Sequence, residues 1–139
     1  MVSSFEKIDI EKINELGMTL NPNFSKLFHI DNLNKNEKIY IYKENNEVLG
    51  FIHIAINFEI VDLLNIVVAE NSRNKGIGSL LIDYMITDLP KNIKKILLEV
   101  NENNSEALKF YYNFNFEVIN TRKNYYGSDS AIIMERNFE

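Results

Sequence analysis

One junction constrains the fold of this chain more than any other feature. The apolar run Leu63-Leu64-Asn65-Ile66-Val67-Val68 reads as a buried strand. After Arg73-Asn74-Lys75-Gly76-Ile77-Gly78, the residues Ile77, Leu80, Leu81 and Tyr84 recur at helical spacing. A strand that turns through glycines into a helix start leaves backbone N–H groups unpaired at the positive end of the helix dipole. Both attract an anion, most often a phosphate. Gly76 and Gly78 lack a Cβ, so ligand oxygens can come close to the backbone. Arg73 and Lys75 add local positive charge to a chain whose net charge is −5. The plain alternative is a helix start behind a flexible loop. A dinucleotide fingerprint would need a third glycine where Leu81 stands, and the Gly-Lys-Ser/Thr of a Walker loop is absent.

Around this junction the pattern predicts a helix over residues 9–20, with Ile10, Ile13, Leu16 and Leu20 on one face and Asp9 as its cap. A second short helix is predicted over 24–33. Strands follow over 37–43, 48–57 and 59–69, the first two separated by the polar turn Glu44-Asn45-Asn46-Glu47. The remaining expectations are a helix over 76–88, a strand over 94–100, a helix over 105–113 and a closing pair of strands over 116–122 and 130–136. Strands on either side of a helix usually lie parallel with a right-handed crossover. The expected class is α/β: a mixed, mostly antiparallel sheet with a parallel strand-helix-strand core and helices on both faces.

The chain of 139 residues fits one domain, 1–139, with one core. No apolar run approaches the ~20 residues that a membrane span needs. Met1-Val2-Ser3-Ser4 is neither basic nor followed by a long apolar stretch, so no signal peptide is visible and a cytoplasmic protein is expected. The absence of cysteine excludes disulfides, cysteine metal sites and a cysteine nucleophile. The acidic balance argues against a general nucleic-acid binder, and no metal-ligand cluster is evident. His29 and His53 have no partner pattern, and His53, inside a strand, reads as structural or simply exposed.

A second stretch carries chemistry. In Leu97-Leu98-Glu99-Val100-Asn101, Glu99 interrupts an apolar strand, as either an edge residue facing water or a carboxylate held in a cleft. Asn104 is most simply a helix cap. Tyr111 shares a helical face with Ala107 and Leu108, which suits the core as well as a site. Tyr125 and Tyr126 are either an aromatic pair at a sheet end or part of a binding groove.

The loop Arg73-Asn74-Lys75-Gly76-Ile77-Gly78 resembles the pyrophosphate loop of the GNAT superfamily of acyl-CoA-dependent N-acyltransferases, in the pattern R-x-x-G-x-G. The run from Leu98 to Tyr111, Phe114-Asn115-Phe116, Arg122-Lys123-Asn124-Tyr125-Tyr126, Ala131-Ile132-Ile133-Met134 and Asn65-Ile66 together resemble the bacterial ribosomal-protein-alanine N-acetyltransferases. Two departures stand out: Asn115 replaces the family glycine, and Ala69-Glu70 replaces the usual Asp-Pro. The resemblance covers essentially the whole chain, more weakly in the first third.

The resemblance implies acetyl-CoA as donor, CoA as product and no metal. It implies that the backbone of Ile66, Val67 and Val68 pairs with the pantetheine arm, with the Val68 amide near the thioester carbonyl. Arg73, Asn74, Lys75, Gly76, Ile77, Gly78 and Ser79 would hold the diphosphate, and Asn104 would contact the pantetheine arm. Glu99 would be the general base, Tyr111 the general acid, and Tyr125 and Tyr126 would line the acceptor groove. The implied acceptor is a peptide or protein N-terminus, of the ribosomal protein S18 type, and the protein would act as a monomer or weak dimer without nucleic acid or membrane. The alternatives are a GNAT enzyme acetylating a small amine or a lysine side chain, and a non-catalytic acyl-CoA-binding module.

Overall fold

Alternating apolar residues build the strands, and the pleat sends neighbours to opposite faces. In the computed structural model, which describes Met1–Glu139, the strands are β1 (Val2–Ser4), β2 (Glu37–Glu44), β3 (Glu47–Asn57), β4 (Ile60–Val68), β5 (Lys95–Asn101), β6 (Glu117–Tyr126) and β7 (Asp129–Asn137). The helices are α1 (Ile10–Leu20), α2 (Phe24–Leu27), α3 (Ile77–Asp88) and α4 (Ser105–Tyr112). Three single 3-10 turns, Lys7–Asp9, Ile30–Asn32 and Glu70–Ser72, complete the set. The strands form one mixed sheet in the order β1-β2-β3-β4-β5-β7-β6, and the predicted parallel pair is β4 with β5.

The chain divides into two compact units. The first comprises Met1–Ala55 and Leu63–Pro90. On one face of its strands, Ile39, Ile41, Val48, Phe51 and Val67 pack with Ile13 and Leu16 of α1, Phe24 of α2 and Ile30. Tyr40, between Ile39 and Ile41, points to the other face. There its ring meets Tyr84 of α3 at 5.5 Å, edge to face, and its hydroxyl donates to Asp88 at 2.5 Å. Helices therefore cover both faces of these strands, as the sequence predicts.

A polar row crosses the same strands. His53 of β3 is fully buried. The amide nitrogen of Asn65 on β4 donates to its Nδ1 at 3.1 Å, which leaves the proton on Nε2 to donate to Glu37 Oε1 at 2.8 Å. The backbone N–H of Asn34 donates to Glu37 Oε2 at 2.8 Å, and the Phe28 ring stands edge-on to the imidazole. Burial lowers the His53 pKa below its usual value, against the opposing pull of Glu37. His53 is thus structural, one of the two roles the sequence allows.

The second unit comprises Ile56–Asp62 and Lys91–Glu139. Ile60, Val61 and Asp62 pair parallel with Lys95, Ile96 and Leu97. β5 pairs antiparallel with β7, which pairs antiparallel with β6. Ile96, Leu98, Val100, Ala131 and Met134 supply its interior. Phe116 and Tyr111 join it in edge contact at 5.6 Å. Asn115 takes φ 65°, the left-handed turn that asparagine tolerates in place of glycine.

Four local expectations are corrected. Asp9 does not cap α1 with its side chain; the carboxylate accepts from the Glu6 N–H at 2.8 Å and pairs with Lys43 at 2.8 Å. Leu20 is 62% exposed, because α1 is ending there, so it does not join the buried stripe. The helix expected over 24–33 is one turn of α2 that ends where Phe28 turns extended (φ −120°), followed by a separate 3-10 turn at Ile30–Asn32. The penultimate strand runs on to Tyr126, four residues past its expected end, and turns back through Gly127 at φ 81°.

Candidate functional site

In the first unit, β4 ends at Val68, and the 3-10 turn Glu70–Ser72 carries the chain to the loop. The Ala69 N–H donates to Leu49 O at 2.8 Å, fixing the strand end against β3. Gly50 lets the two strands approach closely: a Cβ there would lie 3.0 Å from the Val67 carbonyl oxygen and 3.3 Å from an Ile77 methyl. The Arg73 Nε–H donates back to Val68 O at 3.1 Å, which sets the loop's direction. Asn74 at φ 63° and Gly76 at φ 82° both adopt left-handed backbone. Ile77 is buried and anchors the helix start, whereas Arg73, Asn74, Lys75 and Gly76 are exposed.

Gly76 is the N-cap of α3, and no side chain caps that end. The first intrahelical bond there is Leu80 N–H to Gly76 O at 3.0 Å. The amides of Ile77, Gly78 and Ser79 consequently belong to the first turn, which has no intrahelical acceptors. A Cβ on Gly76 would meet nothing within 4 Å, so the backbone faces open space. Uncapped amides, a dipole end, two cations and an unobstructed glycine suit a diphosphate. These residues fit the CoA end of the expected ligand.

The second unit positions the carboxylate and the phenols. Glu99 lies in β5 with its side chain 34% exposed. Tyr126 Oη–H donates to Glu99 Oε2 at 2.9 Å, and Arg122 Nη1 stands 3.9 Å from Oε1. The Arg122 guanidinium also lies over the Tyr125 ring at 5.7 Å, and the Tyr125 and Tyr126 rings meet edge to face at 5.2 Å. Partial burial together with the Glu99 charge pushes the Tyr126 pKa up to about 12. Tyr111 of α4 is only 6% exposed and packs on Phe110 and Phe116. Burial raises its pKa, so it keeps its proton throughout the neutral range. Asn104 accepts from the Ala107 N–H at 3.1 Å and caps α4, its simplest expected role.

The fold thus brings together Glu99, Tyr125 and Tyr126, and adds Arg122, which the sequence presents only as part of a resembling segment. Strand register was the missing signal: Arg122 pairs with Ala131 on β7, and Ala131 pairs with Asn101 on β5. No grouping of three or more His, Cys, Asp or Glu side chains could hold a metal ion. No helix is long and apolar enough to cross a membrane.

Residues 8–116 match the family model described as the acetyltransferase (GNAT) family. The chain is 33% identical over 97 residues to the ribosomal protein bS18-alanine N-acetyltransferase of Haemophilus influenzae, a match covering 66% of each protein. That is just under two thirds of the relative's length. Over 100% of this chain and 94% of the other, the fold is similar to the crystal structure of the ribosomal-protein-S18-alanine N-acetyltransferase from Escherichia coli, with a TM-score of 0.90 and 24% identity. It is also similar to a GNAT family acetyltransferase from Elizabethkingia anophelis with acetyl-CoA bound, at TM-score 0.81 and 20% identity over 99% of this chain and 97% of that one.

Proposed function

We propose that this chain, which belongs to the GNAT acetyltransferase family, transfers an acetyl group from acetyl-CoA to the α-amine of a protein N-terminus, an acceptor of the ribosomal protein S18 type. The observation that carries the donor assignment is the uncapped start of α3 behind an unobstructed Gly76. The first-turn amides at Ile77, Gly78 and Ser79 hold the diphosphate with Arg73, Asn74 and Lys75 around it. The backbone of Ile66, Val67 and Val68 pairs with the pantetheine arm, which Asn104 also contacts. The donor supplies an acyl group activated as a thioester. The Val68 amide stabilises negative charge developing on the acyl oxygen.

The acceptor amine must shed its proton before attack, and Glu99 takes that proton through water. The reference pKa of an α-amine is about 7.7–8.0 and that of lysine about 10.4. Deprotonating lysine at neutral pH therefore costs about 3.4 kcal/mol more, which favours an N-terminus for a base of ordinary strength. Tyr111, kept protonated by burial, gives its proton to the departing thiolate. Tyr125 and Tyr126 line the acceptor groove. An S18-type acceptor implies that the protein acts in the cytoplasm.

The test is mass spectrometry after incubation with acetyl-CoA and a mixture of N-terminal peptides, blocked lysine peptides and small polyamines. Acetylation confined to α-amines is expected. Modification of lysine or polyamine alone would overturn the acceptor assignment, and CoA binding without any product would overturn the enzymatic one.

A further inference from the structure

Glu99 does not stand alone on β5. β7 lies between β5 and β6 in the sheet, so a side chain on β6 must span two strand spacings, about 10 Å, to reach β5. Register brings this about. Arg122, Ala131 and Asn101 are successive cross-strand partners, as are Ile133 and Glu99. Because side chains alternate along a strand, Arg122, Ala131, Ile133 and Glu99 share one face. Ala131 is the small residue between Arg122 and β5, leaving the long guanidinium arm a path across β7. The register also shifts between Arg122 and Tyr126, where Asn124 adopts φ 56°. Tyr126 lies beyond that shift, and its hydroxyl reaches Oε2 of the same carboxylate.

We propose that Arg122 and Tyr126 are positioning residues that clasp the Glu99 carboxylate across β7, one partner for each oxygen, and hold it in the orientation in which it accepts the acceptor's proton. Both clasp residues come from a strand exposed along its whole length, and Glu99 itself is one-third exposed. The hydrogen bond from Tyr126 and the ion pair with Arg122 restrain the two carboxylate oxygens. The Tyr125 ring beneath the guanidinium, and the edge contact between Tyr125 and Tyr126, tie the two clasp residues together. The clasp rests on the reading of Glu99 as the base.

The experiment is steady-state kinetics with acetyl-CoA and an alanine-initiated peptide, with CoA calorimetry alongside, for Tyr126→Phe, Arg122→Gln, Arg122→Lys, Glu99→Gln and the pairing of each clasp variant with Glu99→Gln. Tyr126→Phe and Arg122→Gln are expected to lower kcat by between about tenfold and a hundredfold, with CoA affinity close to wild type for both and acceptor KM close to wild type for Arg122→Gln, the clasp residue outside the acceptor groove. Arg122→Lys should recover part of the loss. Neither clasp variant should lower kcat further once Glu99→Gln is present, because there is no longer a carboxylate to orient. A raised acceptor KM with intact kcat, or equal losses in the wild-type and Glu99→Gln backgrounds, would overturn the clasp alone and leave both residues as acceptor contacts. A Glu99→Gln enzyme with wild-type turnover would overturn the base assignment, and the clasp with it.

Discussion

Replacing Gly17 with alanine isolates the packing between α1 and α2 that supports the first unit. Gly17 sits in α1, and an ideal Cβ there would lie 2.4 Å from Phe24 Cδ1 and 2.5 Å from two further atoms of the ring. Carbon atoms in contact prefer about 3.5–4.0 Å, so the ring would have to retreat by about 1 Å. It has nowhere to go: Phe24 is fully buried, with Phe28 at 5.1 Å and Phe51 at 5.8 Å between centroids. Overpacking of this kind costs about 1–3 kcal/mol, and so severe an overlap belongs at the upper end. Alanine returns about 0.8–1.0 kcal/mol of helix propensity. The net expectation is about 2 kcal/mol of destabilisation, which lowers the Tm of a chain this size by roughly 7 °C. Thermal unfolding followed by circular dichroism measures it. Adding Phe24→Leu to Gly17→Ala should restore part of the loss, since the shorter side chain vacates the contact. A Gly17→Ala protein as stable as wild type, or strictly additive double-variant losses, would refute the reasoning.

Three further outcomes are expected. Gly76→Glu sets bulk and negative charge at a left-handed position beside the first-turn amides of α3, and acetyl-CoA binding should be lost by calorimetry while the far-ultraviolet spectrum is retained. Tyr111→Phe removes the proposed acid but keeps the ring contacts, so kcat should fall by about 10²–10⁴-fold with CoA affinity little changed; wild-type turnover would remove Tyr111 from the proposed mechanism. Because the folded-state pKa of His53 is depressed below its unfolded value of about 6.5, the unfolded chain takes up this proton first as pH falls. Stability should therefore drop as pH descends from about 6.5 through the folded pKa. Denaturant titrations between pH 7.5 and 5.5 should show a smaller drop in His53→Gln than in wild type.

Much of the fold is legible where one stretch of chain carries its own signal. The strand, loop and helix around Gly76 announce themselves through an apolar run, paired glycines and a helical repeat, and the structure holds them within a residue or two of the expected ends. Asn104 is equally local, a cap three residues before the N–H that it accepts. The failures come where a distant partner decides. β1 has only three residues and exists because Val2, Ser3 and Ser4 find Tyr42, Ile41 and Tyr40 some forty positions away. Asp9 looks like a helix cap until Lys43 claims its carboxylate. The extension of β6 had a local clue, the turn-forming Gly127-Ser128-Asp129 that follows Tyr126, but an exposed strand of mixed polarity lacks the alternation that normally marks one. Of the candidate site, residue types are readable and partnerships are not. Nothing in the order of the chain indicates that β7 lies between β5 and β6, so nothing hints that Arg122 faces Glu99.

Every residue of β6 is exposed. A segment that contributes nothing to the interior is free to vary without endangering the molecule, since a surface substitution seldom shifts stability by more than about 0.5 kcal/mol. Apart from Arg122, Tyr125 and Tyr126, this strand is therefore a place where a library of variants could be built with nearly every member still folded, and, on the proposed acceptor groove, one in which to look for altered acceptor preference.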